Sequence, residues 1–296
     1  MSYITFSHLG ESGGMCSQLQ SYAGLLAVAK ANNKELVFSE SMFKKGYTIK
    51  IFDLLKITPN IKPDSFFNDF KLKEIDFRNT SYDKTLFNLD ELNYDLKGRF
   101  DLYTYWYNDI KNVIDSWEFK KDIQTQAINR LQEIKETLGN KPTVSIHIRR
   151  GDYTLPQNIA LNIIDDEYYI KALTQNFLPI KNYNFLVFSN DIEYAKTQLE
   201  GDNVYFVEPK GIDSYSYTTS EKDDLALLSL CDHHIITNSS YSWWGAYLSK
   251  NPNKKVVCPT NWLDKRMLPE STLINGNHFP PNWTNIDNKD LNGLIP

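Results

Sequence analysis

From Pro142 to Cys258 the chain alternates short apolar runs with longer amphipathic segments. Val144–Ile148, Phe185–Phe188, Val204–Val207, Ile235–Thr237 and Val256–Cys258 have the length and apolar content of buried strands. Between them, Glu167–Phe177, Asp191–Leu199, Asp223–Leu230 and Tyr241–Ser249 have the length and spacing of helices. Strands alternating with helices in this way predict βαβ units and a doubly wound parallel sheet. The N-terminal part opens similarly. Tyr3–Phe6 reads as a strand, the glycine-rich loop "SHLGESGG" follows, and Leu19, Tyr22, Ala23, Leu26 and Ala27 mark a helix before a second strand at Glu35–Phe38. A helical stripe runs through Trp106, Ile110, Val113, Ile114 and Trp117. Another runs through Ile123, Ala127, Leu131, Ile134 and Leu138 and stops at "LGNKP", with Gly139 as C-cap and Pro142 beyond. Phe43 to Asn93 has weak periodicity and yields no element, and the Asn-, Gly- and Pro-rich tail from Asn275 to Pro296 reads as irregular. With the boundary placed near Asn140, the expected domains are 1–139, an N-terminal α/β domain, and 140–296, an α/β domain built on the doubly wound sheet.

Composition narrows the function classes. The 296 residues are 41% hydrophobic and 23% charged, enough for a sizeable core, and the formal net charge of −5 argues against general nucleic-acid binding. Aromatics reach 14%, with 18 Tyr and 6 Trp. Such an excess suits sugar or nucleotide sites as well as large cores. The three cysteines, Cys16, Cys231 and Cys258, form no CxxC pair, so reduced thiols and a cytoplasmic location are expected. The N-terminus lacks a signal-peptide pattern, and no window reaches the ~18 apolar residues of a membrane span. Peripheral membrane contact stays compatible with this composition.

Candidate chemistry concentrates at strand ends. In "TVSIHIRRGDY", Val144, Ile146 and Ile148 share one strand face, and Ser145, His147 and Arg149 the other. Ligands of open parallel sheets bind at the carboxyl ends of the strands, where Arg149 and Arg150 fall. Two adjacent guanidiniums call for an anion. Asp152 can satisfy one, and a phosphate or a further salt bridge the other. In "IITNSSYSWWGAYLS" a strand meets a helix whose N-terminus carries Asn238, Ser239 and Ser240; this is a capping pattern and also a place for a diphosphate. That second anion site on the same expected edge favours the phosphate reading of the arginines. Trp243 and Trp244 cannot share a helix face, so one is expected in the core and one at a wall of the site. In "EKDDLALLSLCD", Asp223 and Asp224 either compensate the helix dipole or supply a carboxylate for the N1–H and N2–H donors of guanine. Gly13 and Gly14 mark either a tight turn or a close backbone approach to a ligand, without a GxGxxG pattern. No metal-ligand spacing, GxSxG elbow or Walker A loop is present, so the expected cations are arginines and no metal cofactor is expected.

"HIRRGDY" (His147–Tyr153), "FLVFSND" (Phe185–Asp191) and "NSSYSWWGAYL" (Asn238–Leu248), in this order, resemble the bacterial type of the α-1,2-fucosyltransferase family, glycosyltransferase family 11. "GGMCSQLQSYA" is similar to that family's GGLGNQMFQYA segment, and "LKGRFDLYTYW" to its LxGYFQSxKYF segment. The resemblance implies a GT-B-like α/β fold of two Rossmann-like domains, with an acceptor side in 1–139 and GDP-sugar binding in 140–296. It implies inverting, metal-independent transfer of L-fucose from GDP-β-L-fucose to a glycan hydroxyl, typically O2 of galactose. Arg149 would then hold the β-phosphate, His147 and Asp224 the guanine, and Ser239 and Ser240 the phosphates, with Arg150, Asn238, Gly13 and Gly14 completing the donor-binding set.

The first candidate for the acceptor base is Asp152, ahead of Asp165, Asp166 and Glu11. Of the two arginines, Arg150 is expected to pair with a carboxylate such as Asp152, leaving Arg149 for the diphosphate. Departures cluster in the acceptor half: Cys16, Ser17, Leu19, Gln20 and Ser21 in the first segment, and Arg99, Asp101 and Leu102 in the second. Expected partners are GDP-fucose and a galactose-containing glycan, with peripheral contact to a lipid-linked glycan at the inner membrane in surface polysaccharide (O-antigen) synthesis. The alternatives are a non-catalytic nucleotide- or carbohydrate-binding protein of the same fold, and a fucosyltransferase of other linkage or acceptor.

Overall fold

The computed structural model describes residues 2–11, 13–44, 49–69, 71–77, 82–158, 161, 163–208, 221–263 and 278–288. The chain divides into two compact units, residues 1–120 with 269–280, and residues 121–268 with 281–296.

The first unit starts with strand β1 (Tyr3–Thr5), helix α1 (Met15–Ala31) and strand β2 (Glu35–Leu36). Strands β3 (Phe38–Ser39) and β4 (Ile61–Lys62) pair in parallel, with the short helices α2 (Ser41–Lys44) and α3 (Ile51–Leu54) between them. Strands β5 (Leu72–Phe77) and β6 (Asn93–Gly98) then join the main sheet, and helix α4 (Tyr107–Asp115) closes the unit. The main sheet has the order β2-β1-β6-β5, and its strand pairs are parallel. Strands β4 and β5 lie in the stretch where the sequence pattern yields no element, and β6 begins at its end. In β6 only Tyr94 and Leu96 are buried, and β5 is an edge strand whose exposed positions carry Lys73, Glu74 and Asp76. Charge on an edge strand blocks unwanted pairing and also masks the apolar alternation. Lys97 pairs with Glu74 across the two strands.

Helix α1 is buried over most of its circumference, and Gly24 is where it meets the ring of Phe100. A Cβ on Gly24 would come within 2.3 Å of Phe100 Cγ and Cδ1 and 2.6 Å of its Cβ, and Phe100 is fully buried. Alanine is the better helix former by about 1 kcal/mol. Overpacking costs roughly 1–3 kcal/mol. Gly24→Ala is therefore expected to lower the denaturant midpoint, and an unchanged or raised midpoint would contradict the contact.

The second unit begins with helix α5 (Lys121–Leu138), which packs on a later helix of the same unit. For that reason the division falls between Lys120 and Lys121, ahead of this helix, whereas the sequence pattern places it after. Strand β7 (Thr143–Ile148), helix α6 (Asp166–Asn176), strand β8 (Asn184–Ser189), helix α7 (Ile192–Gln198), strand β9 (Val204–Phe206), helix α8 (Glu221–Ser229), strand β10 (His233–Ile235), helix α9 (Ser240–Leu248), and strands β11 (Val256–Pro259) and β12 (Thr284–Ile286) follow. Every residue of β7 is buried, as a central strand covered on both faces requires. Val144, Ile146, Tyr168, Phe177, Phe185, Val187, Ile235 and Val257 form the core on one side of this sheet. Strand β12 falls in the tail expected to be irregular. It is short and rich in polar residues, yet it pairs with β11 and buries Ile286.

The sheet order is β12-β11-β10-β7-β8-β9, with neighbouring strands parallel. From β7 the chain winds outward through β8 and β9, then returns to the other side of β7 for β10, β11 and β12. Numbered within the unit this is the order 3-2-1-4-5-6 of a Rossmann sheet, with its switch point between β7 and β10. Helices that follow a parallel strand start at its carboxyl end, so the N-termini of α6, α7, α8 and α9 all lie along one edge of the sheet.

Candidate functional site

The carboxyl edge at the switch point is organised by the segment that leaves β7. Gly151 adopts a left-handed backbone (φ 57°), a conformation open to glycine at little steric cost. The resulting turn brings Asp152 back onto Arg149, whose Nη2 donates to Asp152 Oδ1 at 2.5 Å. The Arg149 guanidinium also lies 5.2 Å from the centre of the Tyr153 ring, and the Tyr153 hydroxyl donates to the Asn238 carbonyl at 3.1 Å. Arg149 is thus fixed on two sides while its buried Nε has no hydrogen-bond partner.

Arg150 takes a different course. Its Nε lies 3.4 Å from Asp191 Oδ2 and its guanidinium stacks 3.7 Å from the centre of the Tyr194 ring. Asn190 grips the Arg150 backbone from β8's end, accepting from its N–H at 2.9 Å and donating to its carbonyl at 3.2 Å. The expected pairing of Asp152 with Arg150 is therefore corrected: Asp152 serves Arg149 and Asp191 serves Arg150. The left-handed Gly151 reverses the chain, which a straight continuation of the strand does not anticipate.

His147 points from β7 into a dry environment. It is 4% exposed, its Nδ1 has no hydrogen-bond partner, and its ring lies 5.4 Å from that of Tyr241 on α9. Burial, and next the Arg149 charge, push its pKa down to about 3, so the imidazole is neutral at pH 7. Tyr169 donates from its hydroxyl to the His147 carbonyl at 3.0 Å, bracing the strand from below. One strand over, His234 shares a 2.8 Å hydrogen bond between Nδ1 and Ser145 Oγ, and burial holds its pKa well below the ordinary value. Unfolding restores both histidines to about 6.5. Below about pH 6.5 the unfolded chain therefore takes up protons that the folded chain refuses, down to about pH 3 for His147. Their stability contribution is complete above pH 6.5 and is lost as pH falls, by roughly 1.4 kcal/mol per pH unit for each proton. Urea midpoints are expected to drop between pH 7.5 and pH 5, with a shallower slope in His234→Gln; parallel slopes would contradict the assignment.

Helix α9 opens at the switch point from Ser239, whose Oγ accepts from the Tyr241 N–H at 3.3 Å. Ser239 is thus a cap, and Ser240 begins the helix behind it. Asn238 accepts from Thr237 Oγ1 and donates from Nδ2 to the Trp262 carbonyl at 2.8 Å, which anchors the turn. Trp243 and Trp244 are both buried, at 2% and 0% exposure, so neither forms the expected wall. Trp243 stacks on Tyr247 at 5.1 Å and meets Trp283 at 5.3 Å.

Asp224 occupies the first turn of α8 and is almost fully buried. Its Oδ1 accepts from Arg130 Nη1 on α5 at 2.5 Å. Arg130 carries no recognisable sequence signal, since it lies 94 residues away among the charged positions of an amphipathic helix. Asp165 caps α6 by accepting from the Tyr168 N–H, and Asp166 accepts from the Tyr194 hydroxyl. The Glu11 side chain is outside the described residues. Gly13 (φ 105°) and Gly14, the N-cap of α1, belong to the first unit, where Gln18 Nε2 donates to the Gly13 carbonyl at 3.3 Å. Among the described residues no group of three or more His, Cys, Asp or Glu side chains is placed to hold a metal ion, and no helix is long and apolar enough to cross a membrane.

Taken together, β7 and β10 bring His147, Arg149, Asp152, Asn238 and the N-terminus of α9 to one sheet edge, where the Arg149 guanidinium and a helix dipole stand side by side. The chain is 30% identical over 211 residues to an α-1,2-colitosyltransferase of Escherichia coli, covering 67% of this chain and 66% of that protein. It is 36% identical over 141 residues to the O-antigen biosynthesis glycosyltransferase WbnK of Escherichia coli, covering 46% and 45%. It is 23% identical to galactoside α-(1,2)-fucosyltransferase 1 of Sus scrofa over 95% of this chain and 75% of the relative. The matches thus span from under half to three quarters of these relatives' lengths. Among solved structures, NodZ α-1,6-fucosyltransferase soaked with GDP-fucose, a protein known from Bradyrhizobium, superposes with a TM-score of 0.51 at 14% identity over 86% of this chain and 97% of that one. An Arabidopsis thaliana FUT1 mutant in complex with GDP gives 0.54 at 11% identity, covering 92% and 73%. At these identities they establish the GT-B-like α/β fold alone. The model of glycosyl transferase family 11 matches residues 9–287, nearly the whole chain, and the chain belongs to that family.

Proposed function

We propose that the protein is an inverting, metal-independent galactoside α-1,2-fucosyltransferase that moves L-fucose from GDP-β-L-fucose to O2 of a galactose in a surface polysaccharide. The observation that carries this reading is Arg149, locked by Asp152 at the β7/β10 switch point beside the start of α9. As the bond between fucose C1 and the GDP oxygen breaks, negative charge accumulates on the leaving diphosphate. A guanidinium already oriented by a carboxylate and a ring, together with the positive end of the α9 dipole, stabilises that charge more than the ground state. Neutral His147 and the Asp224 carboxylate suit guanine, and Ser239, Ser240, Asn238 and Arg150 frame the phosphate side. The acceptor hydroxyl attacks C1 from the face opposite GDP, its oxygen forms the new bond, and its proton passes to a carboxylate, for which Asp152 is the candidate. One displacement converts the β-linked donor into an α-linked product.

The test is incubation with GDP-fucose and a panel of galactose-terminated glycans in the presence of a chelator, with the product linkage mapped by NMR. An α-1,2-fucosylated galactoside and stoichiometric GDP are expected. Binding of GDP with neither GDP release nor product would make the chain a binding protein of this fold, and another linkage would replace the α-1,2 assignment. The similarity to an α-1,2-colitosyltransferase supports a second reading, in which the transferred sugar is colitose, a fucose lacking one hydroxyl. Parallel kcat/KM values for GDP-fucose and GDP-colitose decide between them. The similarity to an O-antigen biosynthesis glycosyltransferase supports work on a lipid-linked glycan at the cytoplasmic face of the inner membrane; fractionation of cells without any membrane-associated pool would count against that location.

A further inference from the structure

Arg130 connects three parts of the second unit. From the middle of α5 its Nη1 donates to Asp224 Oδ1 at 2.5 Å, and its Nη2 donates to the Glu208 carbonyl, just beyond β9, at 3.3 Å. The two side chains are largely shielded, at 21% exposure for Arg130 and 9% for Asp224. A carboxylate this dry needs a partner, and loss of one member of a buried pair leaves an uncompensated charge. Charge balance alone would be met by a lysine. What the guanidinium adds is a plane held at two points, one arm on the carboxylate and one on a backbone carbonyl. That plane restrains the rotation of the Asp224 carboxyl group at the first turn of α8, on the carboxyl edge of the sheet.

We propose that Arg130 is a positioning residue that sets the Asp224 carboxylate for the guanine of a nucleoside diphosphate, so that base selection at this edge depends on a side chain from α5. The proposal rests on the reading of Asp224 as the guanine contact. Guanine presents N1–H and the 2-amino group side by side, and a carboxylate must lie in the plane of the base to accept from both. Hypoxanthine has N1–H but no 2-amino group. A carboxylate that loses its Arg130 arm is held at one point fewer and can still meet N1–H, while the bond to the 2-amino group is the first to be lost. Arg130 therefore governs the difference between the two bases more than the affinity for the diphosphate.

Calorimetric titration of GDP, IDP and inorganic pyrophosphate into the full chain tests this, using wild type, Arg130→Lys and Arg130→Met, each checked for folding by circular dichroism. Wild type is expected to prefer GDP over IDP by about tenfold or more, the scale of one hydrogen bond to a charged group. In Arg130→Lys that ratio is expected to shrink at least threefold, with pyrophosphate affinity unchanged. A wild-type ratio retained in folded Arg130→Lys and Arg130→Met would make the pair purely structural and overturn the proposal. Should Arg130→Met fail to fold, Arg130→Lys decides alone, because it keeps the charge. A wild-type protein that binds GDP and IDP equally would remove Asp224 from the guanine site and the proposal with it, whereas no GDP binding at all would overturn the proposed function itself.

Discussion

Arg149→Ala is expected to lower kcat for fucosyl transfer by about 10²-fold or more, the scale on which loss of a single preorganised oxyanion donor acts. The reason lies in how the side chain is held. Asp152 and the Tyr153 ring hold Arg149 in place before any ligand arrives, so no reorganisation accompanies charge development on the leaving group. Arg149→Lys keeps the charge and loses the planar fork, and an intermediate kcat is expected. Acceptor KM is expected to stay within a few-fold, since in the proposed arrangement the change acts on the donor diphosphate. Steady-state kinetics with GDP-fucose at saturating acceptor reads all three quantities. Turnover near wild type in Arg149→Ala would contradict the placement of the diphosphate at this edge.

The largest stability effect is expected from Trp244→Ala. Trp244 is fully buried in α9 and meets Trp243 edge-on at 5.1 Å and Tyr247 at 5.9 Å. At the next residue, a Cβ on Gly245 would come within 2.5 Å of Leu228, so α9 and α8 are already in close contact and cannot collapse further onto a void. Truncating a buried Trp costs about 3–5 kcal/mol under such conditions. A comparable fall in unfolding free energy in urea is expected, together with weaker GDP binding, because α9 begins at the Ser239 cap beside Arg149. A loss below about 1 kcal/mol would mean that the ring is not part of the packed core.

The second unit was far more legible in the sequence than the first, for a physical reason. Strands buried on both faces, such as Val144–Ile148 and Phe185–Phe188, stand out as apolar runs whatever their neighbours are. In contrast, β5 and β6 bury only a few positions and carry Lys73, Glu74, Asp76 and Lys97 on their exposed sides, which flattens the alternation. Strand β12 is three residues long and depends on pairing with β11 for its existence. At the site, strand–helix alternation was enough to bring Arg149, Asp224 and Ser239 to one edge. The partners of those residues were not legible. The exchange of Asp152 and Asp191 between the two arginines follows from the left-handed Gly151, and the Arg130–Asp224 pair joins helices 94 residues apart in sequence. The tandem tryptophans failed differently: adjacency shows that they face different directions, but α9 is buried on enough sides to absorb both.

A crystal structure of the protein with GDP bound is the most direct test of the site. The expected complex has a β-phosphate oxygen within about 3 Å of the Arg149 guanidinium and of an N–H at the start of α9, with the guanine edge on Asp224. GDP bound away from the β7/β10 switch point, or bound there with its base far from Asp224, would contradict the account.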